Sequence, residues 1–356
     1  MSGPNGTSMP WRAAAATSVG SFPGTSALEA ARIVAGELPD FIHVAELPAR
    51  GPGSDMIGRS GGLLAGVATG LSLETTPMGW RIAGGLGRDA RRAQSFLGED
   101  LDAFEESAIG YAGPVKCQVV GPWTMAAAVE LPGGERVLRD PSAVWDIAQA
   151  LGEAVRLHVA DVRRRLPKAS AVVLQLDEPS LPAVLDGRIG TSSGLSSYRA
   201  VDAQEAERVL RQVLDVVGGE GLFGGVHCCA AAPPVDLLRR SGADFVSLDF
   251  TLLLDDAGLD DEIGTALDNG IGVLAGCVPS VDTERLTEAQ ASAPLRRVLH
   301  RLGLEDSAVL DQVAVTPTCG LAGSSPMWGR EALAACRAVG RIVRDDESEG
   351  RGDDDE

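Results

Sequence analysis

Aromatic residues are scarce in this chain, at 4% of 356 residues. A core with so few large rings has to be built from Ala, Val, Leu and Gly, which suits an α/β interior of small aliphatics. Basic residues are also in deficit. Lys and Arg number 31 against 50 Asp and Glu, a net charge of −19. So acidic a chain repels phosphate backbones, and no nucleic-acid partner is expected. No apolar run reaches the ~18 residues of a membrane-spanning helix, so no membrane association is expected. The start lacks the basic-then-apolar pattern of a signal peptide, and the expected location is cytoplasmic. Six cysteines in a chain of this length do not make a disulfide framework. Each is by default a small buried hydrophobe unless its position argues otherwise.

The ends stand apart. Residues 1–10 are polar with Gly and Pro and are expected to be disordered. Residues 344–356 read RDDESEGRGDDDE, without apolar periodicity, and are expected to form an acidic disordered tail. That leaves 11–343 as one folded unit. Short β-branched runs there alternate with longer amphipathic segments. The expected strands are Ala16–Ser21, Ile42–Leu47, Lys116–Gly121, Ala171–Asp177, Phe223–Cys228, Asp244–Asp249, Ile271–Cys277 and Gln312–Pro317. Helical spacing recurs between them, for example over Ser26–Leu38, Arg88–Ser107, Ala143–Arg165 and Ser325–Val343. Such alternation implies parallel strands with crossover helices, and eight units imply a single (β/α)8 TIM barrel. The Gly-rich insertion Gly51–Arg91 after the second strand is expected to form a hairpin or a lid over the barrel mouth.

Active sites of such barrels lie at the C-terminal ends of the strands. The expected strand ends carry Gly20-Ser21, Glu46, Asp177-Glu178, His227-Cys228-Cys229, Asp249, Cys277 and Cys319. His227 and Cys229 are two positions apart and therefore share a side of an extended chain. With Cys319 from the last strand end they make a His/Cys2 set suited to Zn2+, with room left for a substrate. Asp249 is the natural fourth oxygen ligand. Cys228 alternates to the other face; Cys117 and Cys336 read as structural. Taken singly, each of these residues is an ordinary buried group. Their convergence on one mouth is what points to a metal centre.

VGSFP at 19–23, QLDEPSL at 175–181, VHCC at 226–229 and TPTCGL at 316–321 resemble the catalytic zinc barrel of cobalamin-independent methionine synthase, standing alone. The resemblance runs along nearly the whole chain. It implies a zinc-dependent S-methyltransferase that moves a methyl group to the homocysteine thiolate to give methionine. It implies zinc ligation by His227, Cys229 and Cys319, with Asp249 in place of the family's glutamate. It implies homocysteine binding by Val19, Gly20 and Ser21, with Glu46 and Asp177 around the substrate ammonium. A free thiol of pKa near ~8.5 is mostly protonated at neutral pH, which is why the chemistry calls for a metal.

The donor side departs from the family. Ala183 stands where an acidic residue binds the pterin, and Cys277 stands where a histidine donates a proton. Trp123 lies earlier than the family's folate-stacking tryptophan. The donor is therefore expected to be a methylcorrinoid, carried by a corrinoid protein, or a folate. Two alternatives stay open: a zinc alkyltransferase acting on another small thiol, and a non-catalytic zinc or amino-acid-binding relative. A porphyrinogen decarboxylase, which shares the barrel, has no use for a His-x-Cys…Cys set.

Overall fold

The computed structural model describes residues 8–67, 70–218, 221–253, 256–304 and 307–350. The strands are β1 (Ala15–Ala16), β2 (Ile42–His43), β3 (Ser72–Thr76), β4 (Gly79–Ala83), β5 (Pro114–Val120), β6 (Val129–Glu130), β7 (Ala171–Asp177), β8 (Leu222–Cys228), β9 (Phe245–Asp249), β10 (Gly272–Val278) and β11 (Val313–Pro317). Eight of them form one parallel sheet in the order β1-β11-β10-β9-β8-β7-β5-β2. The two ends of that order, β1 and β2, meet through a parallel bridge between Ser21 and Glu46. There Glu46 N–H donates to the Gly20 carbonyl at 3.1 Å, and Phe22 N–H donates to the Glu46 carbonyl at 2.8 Å. The expected (β/α)8 architecture is thus present, with its seam at the residues expected to bind substrate.

β7 has the expected bounds. β1 and β2 are shorter than expected, because regular pairing stops after two residues and resumes only at the Ser21–Glu46 bridge. Local chemistry sets the helix starts. Ser26 accepts from Glu29 N–H ahead of the helix Ala27–Glu37, Asp140 caps Pro141–Arg165, and Thr287 with Gln290 forms a capping box. The insertion after β2 holds a helix, Met56–Leu64, and the antiparallel hairpin β3–β4, to which β6 adds in parallel. The last helix runs from Pro326 to Gly350, so the first seven residues of the tail expected to be disordered are helical. The helix that starts on the amphipathic pattern Ser325–Val343 thus continues past the end of that pattern. Residues 1–7 and 351–356, the rest of the expected loose ends, lie outside the described residues.

A strand turns alternate side chains to opposite faces, and in a closed barrel one of those faces is the interior. Inside, at the N-terminal end, an apolar plug is made by Ala15, Phe41, Ala171, Val173, Phe223, Phe245, Leu274 and Ala314, with Trp11 across it. Trp11 stacks on Phe41 at 5.4 Å between ring centroids and meets Phe245 edge-on at 5.9 Å. Two residues further along each strand the interior turns polar, with Lys116, Gln118, Gln175, Ser247 and Thr316, all buried. A further step reaches Asp177, His227 and Asp249 at the mouth. The opposite parity, such as Val226, Val246, Val273 and Val315, packs outward in the larger core with the helices.

The plug closes the floor beneath the polar layer. Phe245→Ala should therefore cost about 3–5 kcal/mol in urea unfolding, the range for emptying a buried Phe site. A loss below about 1 kcal/mol would mean that the floor is not packed as described.

Candidate active site

β8 delivers His227 to the interior on the same parity as Phe223, and Cys229 follows just past the strand end. Cys319 lies two residues beyond β11. The ligand atoms of His227, Cys229 and Cys319 all fall within 4.8 Å of one another. Cys319 Sγ is 3.4 Å from Cys229 Sγ and 3.9 Å from His227 Nε2. A tetrahedral ion with bonds of ~2.3 Å to sulfur and ~2.0 Å to nitrogen needs separations of about 3.8 and 3.6 Å, so the donor set fits one such ion with little adjustment. His227 Nδ1 lies 3.0 Å from Ser247 Oγ, which orients the ring and leaves Nε2 toward the sulfurs. The two thiols are hydrogen-bonded to each other. Cys319 is held well below the ordinary thiol range, first by its hydrogen bond with Cys229 and then by His227, against burial; Cys229 is pushed up by the same bond and by burial.

Asp249 stands beside this group without joining it. Its Oδ1 accepts from Thr251 N–H at 2.9 Å and from the Thr251 hydroxyl at 2.6 Å. Burial, opposed by those bonds, raises its pKa, and the nearby Cys319 charge adds to the rise. Glu46 and Asp177 are both buried at the mouth. Arg59, from the insertion's helix, places Nε 3.3 Å from Glu46 and also binds Asp100, which Arg50 holds from its other side. Burial raises the pKa of both Glu46 and Asp177; Arg59 opposes the rise at Glu46, and His227 opposes it at Asp177. Ser21 packs against Gly320 so closely that any side chain at 320 would collide with its hydroxyl, and Leu321 N–H donates to the Ser21 carbonyl at 2.8 Å. The turn Val19–Ser21 and the loop carrying Cys319 are therefore locked together.

The family described as cobalamin-independent synthase, catalytic domain, matches residues 14–341. The chain belongs to this family. It is a methyltransferase of that catalytic-domain type. Among solved structures it is similar to a B12-independent methionine synthase from Shewanella sp. W3-18-1 in complex with selenomethionine. The TM-score is 0.60 at 14% identity, over 94% of this chain and 98% of that one. It is also similar to a methyltransferase from Methanosarcina mazei, with a TM-score of 0.56 at 12% identity over 91% and 93% of the two chains. At these identities the likeness speaks for the fold. No curated protein matches the chain by sequence.

Not every residue expected at the site of this family member is there. Cys277 has the outward parity of Val273 and Ala275, because Leu274 points into the plug. Its thiol meets the backbone of Leu295 and the neighbourhood of Cys336, and burial pushes its pKa up to about 12. It is sealed between sheet and helices and is not a proton donor at the mouth. Trp123 is buried, and its indole N–H donates to the Ala206 carbonyl at 3.1 Å, so it fills the core. Cys228, Cys117 and Cys336 are buried in structural positions. The sequence reading missed four participants: Arg59, Lys116, Gln118 and Gln175. Their signal was available for the strand residues, since a polar side chain on inward parity inside an otherwise apolar strand has to face something polar. Glu178, next to Asp177, turns away from the mouth. It accepts from the N–H groups of Trp123 and Thr124 at 2.8 and 2.7 Å, fixing the start of the helix Pro122–Ala128.

A thiol held below its ordinary pKa stays ionised as pH falls until its own lowered pKa is reached. In metal-stripped protein at pH 6, where an ordinary thiol is well under ~1% ionised, iodoacetamide should label Cys319 ahead of the other five cysteines, as read by mass spectrometry. Cys229→Ser should slow that labelling. Equal labelling of Cys319 and Cys277 would contradict the described placement.

Proposed function

We propose that the protein is a zinc-dependent homocysteine S-methyltransferase. The observation that carries this reading is the convergence of His227, Cys229 and Cys319 at a barrel mouth that also holds two buried carboxylates. A zinc ion held by the three would deprotonate a coordinated thiol and keep it nucleophilic near neutral pH. Everything else is done by the chain. Ser247 orients the imidazole through Nδ1. Asp249, beside the three and now held by Thr251, would supply a carboxylate oxygen to the ion. Glu46 and Asp177 receive the ammonium of the amino acid, while the Val19–Ser21 turn takes the rest of its backbone. This pairing of charges selects an amino-acid thiol over an anionic one.

The placement of Cys277 bears on the donor. Methyl transfer from the N5 of a folate leaves a poor leaving group that needs a proton. With Cys277 in the helix layer, no acid stands at that strand end, which favours a methylcorrinoid as donor over methyltetrahydrofolate. The product would be methionine, formed in the cytoplasm as the sequence leads one to expect.

Purified protein should contain about one zinc per chain by metal analysis, lost in Cys319→Ser. Zinc-free protein of undiminished activity would contradict the reading. Asp177→Asn should raise KM for homocysteine by about 10- to 100-fold, the worth of a hydrogen bond to a charged group, with a smaller effect on kcat. Methylation of homocysteine assayed with methylcobalamin and methyltetrahydrofolate side by side should proceed with the former; turnover with folate alone would reverse the donor assignment.

A further inference from the structure

The chain has only two lysines, Lys116 and Lys168; its other basic residues are all arginine. One of the two is fully buried inside the barrel, on β5. Lys116 Nζ donates to the Val19 carbonyl at 2.7 Å and to Gln118 Oε1 at 3.3 Å. The same Val19 carbonyl accepts from Gln175 Nε2 at 2.9 Å, and that amide also donates to Asp177 Oδ1 at 2.7 Å. Gln118 donates to the Val44 carbonyl at 2.7 Å, and its side chain fills the space a Cβ at Gly20 would need. Gly20 has φ of +155°, a conformation that glycine adopts without strain. Three inward side chains thus fix the orientation of one peptide, the one entering the Gly20–Ser21 turn.

The ammonium also brings charge. Burial pulls the Lys116 pKa down, and Asp177 and Glu46 hold it up. Two buried carboxylates facing one ligand position would otherwise repel, and one would take a proton. With Arg59 at Glu46 and Lys116 acting on both Asp177 and Glu46, these two carboxylates are matched by two cations before a ligand enters. A ligand that preserves this balance has no net charge of its own. A plain amine would leave an excess cation, and a plain carboxylate an excess anion. A guanidinium would not serve in place of Lys116, because it is larger and planar where a compact donor is enclosed on every side.

We propose that Lys116 is a positioning residue for the acceptor: through the Val19 carbonyl and the Glu46–Asp177 pair it shapes the pocket for a zwitterionic α-amino-acid thiol, without touching the sulfur. The inference rests on the homocysteine reading above and assigns its selectivity to a residue outside the expected binding set.

Calorimetric titration of the zinc-loaded full-length protein with L-homocysteine and with 1-propanethiol, which lacks both charged groups, separates the two roles. Lys116→Met should weaken homocysteine by about 10- to 100-fold and change propanethiol by less than about twofold. Gln175→Leu keeps the lysine charge and should show the same selective pattern at smaller size, and it carries the test if Lys116→Met does not fold. Equal losses for both thiols would reduce Lys116 to a structural role and overturn the proposal, as would undiminished homocysteine binding. Wild-type protein that binds propanethiol as tightly as homocysteine would instead overturn the homocysteine reading itself, before any variant is compared.

Discussion

A parallel strand in a closed barrel must turn every second side chain toward a common axis, and the whole site follows from that parity. His227 and Asp177 are paired in register on neighbouring strands, and both point inward. Two steps below them on β7 and β8 lie Gln175 and Gly225, and two steps below those lie the apolar residues of the floor. The same rule removes residues from the site. Cys228 and Cys277 sit among functional neighbours in sequence and yet face the helices, because each is one position out of phase. A slip of one residue in any of these strands would exchange a metal ligand for a core residue.

The second constraint is electrostatic. The mouth gathers Glu46, Asp177 and Asp249 with two thiols in a setting largely closed to water. Acids of this kind are kept ionised only if cations are enclosed with them. The chain draws those cations from two places. Lys116 rises from inside the barrel on β5, and Arg59 arrives from the insertion after β2, whose helix is itself tied down by Asp100 and Arg50. The insertion is thus part of the site's charge balance. The thiols are held together by a different contact, the hydrogen bond between Cys229 and Cys319 beside His227.

Much of this was legible in the residues. The alternation of apolar runs and amphipathic segments foretold the eight barrel strands, and β7 falls where the pattern Ala171–Asp177 put it. The His-x-Cys spacing and the distant Cys319 foretold the cluster, because strand parity and barrel closure together leave little choice of partner. What escaped reading escaped for physical reasons. β6 is only two residues long and joins the hairpin β3–β4, itself within the insertion expected to form a hairpin or a lid, through a nonlocal pairing that no spacing reveals. Arg59 looks like any surface arginine until tertiary packing brings Glu46 beside it. Lys116 could have been suspected, since it interrupts a strand that is buried along its whole length. Cys277 was misjudged because motif position, rather than parity against Leu274, was used to aim it.

The central claim is that His227, Cys229 and Cys319 hold one zinc ion that takes the substrate sulfur. X-ray absorption at the zinc edge tests it most directly, with and without L-homocysteine. The expected result is a first coordination sphere with two sulfur neighbours in the free protein and three once homocysteine is present. A sphere without sulfur, or a sulfur count that homocysteine leaves unchanged, would contradict the account.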